Sequence, residues 1–154
     1  MMANDISNSK AALADSLNGL LADYYALFLK TKNFHWHVSG PHFRDYHLML
    51  DEQAAEILAI TDDVAERVRK NGHRSLTSIG DIVRRQTITD NDADAVDANA
   101  MLKELREDNL TIVARLREAK ALAGEAGDNA TDGIIDDWTD QAEKRAWFLA
   151  ESLG

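Results

Sequence analysis

His35-Trp36-His37-Val38-Ser39-Gly40-Pro41-His42-Phe43, followed by a helical stretch carrying His47, Asp51, Asp62 and Glu66, decides how this chain is read. His47 and Asp51 stand four residues apart, as do Asp62 and Glu66. At 3.6 residues per turn, each pair stacks on one helix face. Imidazole with carboxylate is a donor mix that suits iron, manganese or zinc. The two pairs cannot share a metal within one chain. Eleven residues separate Asp51 from Asp62, about 16 Å of helix rise, against the ~2 Å of a metal–ligand bond. Two readings follow. Either these are unrelated surface pairs, or a second, antiparallel copy of the helix brings its Asp62 and Glu66 to the first copy's His47 and Asp51. A two-fold dimer does this and makes two equal sites. His35 joins from the end of the preceding helix across the Ser39-Gly40-Pro41 turn, with Pro41 suited to the first position of the next helix.

Outward from this stretch the chain reads as helix. Upstream, Leu13, Leu17, Leu20, Leu21, Tyr24, Leu27 and Phe28 recur at intervals of three and four. That periodicity predicts an amphipathic helix from about Ser9 to His37, with Ser7 or Ser9 as N-cap and residues 1–8 as a short polar tail. The stripe Leu50, Ala54, Ile57, Thr61, Val64, Val68 predicts a second helix from Pro41 to about Lys70, closed by Asn71-Gly72. A crossover from His73 to about Asn91 follows. Within it, Ser78 to Val83 predicts a short helix with Ile79, Ile82 and Val83 on one side. A third long helix is expected from near Asp92 to Gly124–Gly127, with Leu102, Leu105, Ile112, Val113 and Leu116 on its apolar face. The fourth starts near Asp128 to Asp132 and carries Ile134, Ile135, Trp138, Ala142, Leu149 and Leu153. Trp138 and Trp147 occupy core-compatible positions. No stretch alternates as a strand. The expectation is an all-α single domain over residues 1–154, a four-helix bundle with a long crossover between helices 2 and 3.

Composition narrows the chemistry. The chain has 154 residues, enough for one domain with a substantial core. Its 45% apolar and 29% charged residues are ordinary for a soluble globular protein. The absence of cysteine excludes disulfides, thiolate metal sites and thiol nucleophiles. The N-terminus lacks the basic-then-apolar pattern of a signal peptide, and no apolar run approaches membrane-spanning length. A soluble, cytoplasmic protein is expected. The net charge of −10, from 27 acidic and 17 basic residues, repels phosphate backbones and attracts cations.

Taken together, Phe34-His35-Trp36, Gly40-Pro41-His42-Phe43, His47, Asp51, and Asp62 with Ala65-Glu66-Arg67 resemble the Dps proteins, the miniferritins named as DNA-binding proteins from starved cells. The resemblance runs to the closing Glu143-Lys144-Arg145-Ala146-Trp147-Phe148-Leu149. It implies a ferritin-like four-helix subunit, a dodecameric shell built from two-fold dimers, and ferroxidase sites at the dimer interfaces. His35, His47 and Asp51 of one subunit, with Asp62 and Glu66 of its neighbour, would be the catalytic metal ligands. Fe(II) is the implied substrate, with hydrogen peroxide, or else oxygen, as oxidant and a ferric mineral as the stored product. His37 departs from the family, which usually carries Asn there; it reads as a donor behind the ligands or as a plain substitution. Trp36 reads as interface packing, or as an electron source that quenches radicals beside oxidising iron. In the family, acidic residues at the start of the last helix line the pores through which iron enters. Asp128 and Asp132 are the candidates here, with Gly133 where an Asp is common.

The remaining histidines carry less. His42 reads as a cap or a solvent-facing residue, and His73 as an exposed loop residue. No Glu-x-x-His, His-Glu-x-x-His, Gly-Lys-Ser/Thr loop or Gly-x-Ser-x-Gly elbow occurs, which removes the intrabundle di-iron, metalloprotease, P-loop and α/β-hydrolase readings. The rival from another class is a nucleoid protein that coats DNA through a basic tail. The first ten residues hold one lysine, Lys10, and the C-terminus Glu151-Ser152-Leu153-Gly154 is not basic, so direct DNA binding is not expected. A shell that has lost its ferroxidase is the third reading, and the intact ligand set speaks against it.

Overall fold

In a computed structural model that describes residues 3–154, the chain forms α1 (Ala3–His37), α2 (Phe43–Lys70), α3 (Ile79–Arg85), α4 (Ala98–Glu125) and α5 (Asn129–Leu153). Among the described residues there is no strand. The architecture is the expected all-α, ferritin-like bundle. Helix α1 packs on α2 and α4, and α4 packs on α5. The crossover carries the short α3 against α1. The core runs through all four long helices, from Leu13, Leu17 and Leu20 of α1 to Ile57 of α2, Leu105 of α4 and Leu149 of α5, all fully buried. Each such side chain contributes about 1.5–3 kcal/mol.

Three helix starts differ from expectation. Residues 3–8 are not the expected tail, because α1 is already helical at Ala3; Met1 and Met2 lie outside the described residues. Nothing between Ala3 and Ser9 breaks a helix, and Asp5 in the first turn complements the helix dipole. Ser7 and Ser9 therefore lie inside α1 rather than at its N-cap. Helix α2 begins at Phe43 rather than Pro41. Gly40 has φ +115°, and Pro41 and His42 complete a turn in which Phe43 N donates to Gly40 O at 3.1 Å. His42 holds the N-cap position without a side-chain cap bond. The third long helix begins at Ala98 rather than Asp92. Asp97, in extended conformation, caps it by accepting from Ala100 N at 3.0 Å. Upstream, Asn91 Oδ1 accepts from Ala93 N, a local bond that competes with helix formation.

The ends fall where Gly permits. After α2, Gly72 sits at φ +83° and His73 N reaches back to Val68 O at 3.3 Å, a closure that suits the expected Asn71-Gly72 stop. After α4, Gly127 at φ +70° lets Asp128 N bond Ala123 O at 2.9 Å.

The crossover is held by polar bonds from α1 as well as by Leu76 and the buried Ile88, which pack on the core. Asn18 Nδ2 donates to Arg74 O and its Oδ1 accepts from Leu76 N. The fully buried Asp23 accepts from Thr87 N at 2.6 Å, Ile88 N at 3.0 Å and the Thr87 hydroxyl at 2.6 Å. Lys30 Nζ donates to Thr89 O, and Asn33 Nδ2 to Asn91 O. Arg115 reaches Asp23 over Gly19, where an added Cβ would meet the guanidinium at 2.3 Å. Ser78 caps α3, accepting from Asp81 N, rather than forming its first turn, and Ile79 and Val83 face solvent while only Ile82 is half-buried. Trp138 is buried, whereas Trp147 is 60% exposed beside Phe148, so its expected core position is not realised. No helix among the described residues is long and apolar enough to cross a membrane.

Candidate metal centre

The α1–α2 turn stacks two imidazoles. His35, in the last turn of α1, and His47, on the first turns of α2, lie with ring centroids 3.8 Å apart and 12° between planes. Each ring is fixed by the other residue's backbone: His35 Nδ1 donates to His47 O at 2.6 Å, and His47 Nδ1 to His35 O at 2.8 Å. A carbonyl oxygen only accepts, so both Nδ1 atoms carry hydrogen and both Nε2 atoms present lone pairs. That second-shell pattern fixes tautomer and aim in histidine metal sites. Phe43 stacks on the far side of His47 at 5.0 Å.

Asp51, one turn on from His47, brings Oδ1 to 3.8 Å from His35 Nε2. The same oxygen accepts from Lys32 Nζ at 2.6 Å. The hydrogen bond from Lys32 holds the Asp51 carboxyl below its ordinary range, with smaller help from the charges of Lys32 and the two histidines. This lysine escaped the sequence reading; its one signal is its place one turn before His35.

About three turns further on, Asp62 and Glu66 come together on an exposed face and Asp63 joins them. One ligand atom from each lies within 4.8 Å of the others. The structure thus gathers His35, His47 and Asp51 into one half-site and Asp62 and Glu66 into another. It does not bring the halves together in one chain. Asp51 and Asp62 sit on the same unbroken α2, where their eleven-residue offset spans about 16 Å and turns only about 20°. They form a single stripe, with exposed Ala55 and Leu58 between them.

The other candidates lie around this stripe. Trp36 is 58% exposed next to His35. His37 is exposed and turned to its own helix, its Nδ1 bonded to Asn33 O at 2.7 Å and Asn33 Oδ1 at 2.8 Å. His42 is exposed and stands beside Tyr46, while His73 is half-buried in the loop after α2. At the far corner Asp128 caps α5 through Thr131 N at 3.1 Å. It also binds Arg67 Nη2 at 2.8 Å and Asn71 Nδ2 at 2.7 Å. Burial pushes its carboxyl up, but the bonds from Thr131, Asn71 and Arg67 outweigh that and hold it well below the usual carboxylate range. Asp132 pairs with Lys120, which also binds Asp136 at 2.9 Å.

Known proteins resemble this chain in both sequence and fold. The family described as a ferritin-like domain matches residues 14–154. A DNA protection during starvation protein from Brevibacillus brevis is 30% identical over 137 residues, covering 89% of this chain and 91% of that protein. The X-ray structure of Dps from Thermosynechococcus elongatus superposes with a TM-score of 0.93 at 27% identity, covering 97% of this chain and 94% of that one. The Dps protein of Vibrio cholerae, described as one of the ferritin-like diiron-carboxylate proteins, gives 0.89 at 26% identity over 96% of this chain and 92% of its own.

Proposed function

The chain belongs to the Dps family of ferritin-like proteins, and from that premise we propose that it oxidises Fe(II) at sites shared between two subunits and stores the ferric product. The observation that carries this reading is the exposed stripe of α2: the His47–Asp51 and Asp62–Glu66 pairs on one continuous helix, too far apart for one metal and symmetric about the midpoint of exposed Ala55 and Leu58. An antiparallel second copy laid along the stripe pairs each His35–His47–Asp51 half with an Asp62–Glu66 half, and Leu58 supplies apolar contact between them. The dimers assemble into a twelve-subunit shell, as the family resemblance implies.

Fe(II) is the substrate rather than a resident cofactor, and the donors fit it. Two imidazoles with free Nε2 tolerate Fe(II), while carboxylate oxygens from Asp51, Asp62 and Glu66 favour the ferric product. Hydrogen peroxide is the proposed oxidant: it takes two electrons, one from each of two Fe(II), without releasing hydroxyl radical. Trp36, exposed beside His35, would supply an electron when that pairing fails. Trp36→Phe is expected to keep assembly and oxidation rate but to raise protein carbonyls after peroxide cycling; equal carbonyls would reduce Trp36 to packing.

Iron entry is proposed at the α4–α5 corner. There Asp132 is half-exposed, while Asp128 serves as the cap that shapes the corner. Protection of DNA, which names several relatives, follows from removing Fe(II) and peroxide and needs no contact with a polyanion that a −10 chain repels. Stopped-flow absorbance after adding Fe(II) to metal-free protein, with peroxide or with oxygen, tests the reading. Rapid ferric absorbance that is faster with peroxide is expected. No oxidation above the buffer rate, or a tight low-salt gel shift with DNA under chelation, would overturn it.

A further inference from the structure

Halfway along the bundle, each of the four long helices contributes a polar side chain to one layer, three of them buried and Glu56 partly exposed. Tyr24 comes from α1, Glu56 from α2, Asn109 from α4 and Arg145 from α5. Arg145 is the centre of this layer and only 2% exposed. Its Nε donates to Asn109 Oδ1 at 2.7 Å and its Nη1 to Glu56 Oε1 at 2.6 Å, while its carbonyl accepts from Gln53 Nε2 at 3.3 Å. The guanidinium also stands beside the buried Tyr24 hydroxyl. Burial drives the Tyr24 phenol far up and Arg145 only partly opposes it, so the phenol keeps its proton. The Tyr24 hydroxyl and Arg145 Nη2 are both buried with no hydrogen-bond partner. A buried ion pair adds little net stability, so the layer calls for another explanation.

The oxygens around Arg145 make a hard-donor set: a carboxylate, an amide oxygen and a phenol drawn from the other three long helices. Such facing side chains are the material from which helix bundles build internal metal sites. A way in exists as well. Glu56 is partly exposed, and a cleft of about 100 Å³ between α2 and α5, lined by Glu52, Glu56 and Lys144, reaches Arg145. Charge and access thus both favour a cation here, and the chain carries one covalently. We infer that Arg145 is a resident cation: its guanidinium fills an oxygen chamber lined from α1, α2 and α4 that would otherwise take a divalent metal, and so confines Fe(II) to the ligands of the inter-subunit site. This rests on the inter-subunit iron site proposed above. It adds a specificity-determining residue to that site, one that acts from inside the bundle.

The test starts from the full-length chain with the surface ligands removed (His35→Ala, Asp62→Asn, Glu66→Gln). To this parent Arg145→Gln or Arg145→Glu is added. The probe is Mn(II), an oxygen-seeking divalent ion that does not turn over, counted per chain by EPR of the free ion alongside the melting temperature. The parent is expected to show no site that raises its Tm. Arg145→Glu is expected to gain one Mn(II) per chain, bound at least about tenfold more tightly than anything in the parent. Its melting temperature should rise with Mn(II), and added Glu56→Gln should abolish both effects. Arg145→Gln should show the same gain more weakly. Should Arg145→Glu need Mn(II) to fold, that dependence counts in favour. If neither variant gains a site, or Arg145→Glu stays unfolded with Mn(II) as without it, Arg145 is a structural ion pair only. The parent's loss or retention of Fe(II) oxidation tests the surface site separately, so either idea can fail alone.

Discussion

Lys32 and a metal ion would compete for the same atom, because Asp51 Oδ1 is both the oxygen nearest His35 Nε2 and the acceptor of the Lys32 ammonium. Loading this half therefore requires the lysine to swing away, whereas the Asp62–Asp63–Glu66 half is purely acidic. Lys32→Met is expected to tighten Zn(II) binding to the His35–His47–Asp51 half by roughly two- to five-fold, the scale of an exposed ion pair. Titration calorimetry in a Glu66→Ala background would read it, and unchanged affinity would remove Lys32 from the account. The pairs His47–Asp51 and Asp62–Glu66 were legible in the sequence because residues four apart on a helix must meet, whereas His35 joins across the α1–α2 turn. The Lys32–Asp51 contact joins α1 to α2 across nineteen residues and depends on how the two helices slide against each other, which periodicity does not record. The commitment of Asp128 to Arg67 and Asn71 was hidden for the same reason. Its role as a cap, being local, was not.

Helix α1 does two jobs at once, burying one face in the core and clamping the crossover with Asn18, Asp23, Lys30 and Asn33. The apolar stripe of α1 was readable, but these polar positions looked like ordinary interruptions of it. Likewise Ile79 and Val83 suggested an inward face for α3 that the clamp makes unnecessary. Asp23→Asn leaves a buried amide where a carboxylate accepts three bonds, and is expected to cost about 3 kcal/mol. Amide exchange should then rise first at Thr87 and Ile88; uniform loss of protection across the bundle would deny the crossover its own latch. At the opposite end, α2 and α5 are tied through Asp128. Its carboxyl is depressed in the folded chain, so the charged form's contribution is fully present above the unfolded value of about 4 and is lost as pH falls toward the native value. Asp128→Asn should therefore melt lower than wild type at neutral pH, with a gap that is flat down to about pH 5 and closes below about pH 4. A gap independent of pH would mean that the Arg67 pairing contributes nothing.

On the scale of the whole molecule, the net charge of −10 and the half-sites of α2 ask for cations and for a second subunit together. A chain that holds the two half-sites apart would bind metal only weakly at each; joined antiparallel along α2, as proposed, two chains would offer each metal imidazole from one side and carboxylate from both. The proposed assembly is thus a condition of the chemistry and not only a container for its product. This makes a quantitative demand. Take one chain with Asp51→Ala and another with Glu66→Ala; each alone damages every shared site and should oxidise Fe(II) at a small fraction of the wild-type rate. In a mixed dimer, one site receives both lesions and the other receives neither. Random co-assembly makes half the two-fold interfaces mixed, each with one intact site, so about a quarter of the wild-type activity should return. The experiment is to denature and refold the two variants together, verify mixed assemblies by mass, and follow Fe(II) oxidation. If activity stays at the level of the separate variants despite confirmed mixing, the ligands do not meet across the interface. The His35–His47–Asp51 half would then have to work alone, against the Lys32 ammonium that already holds its carboxylate.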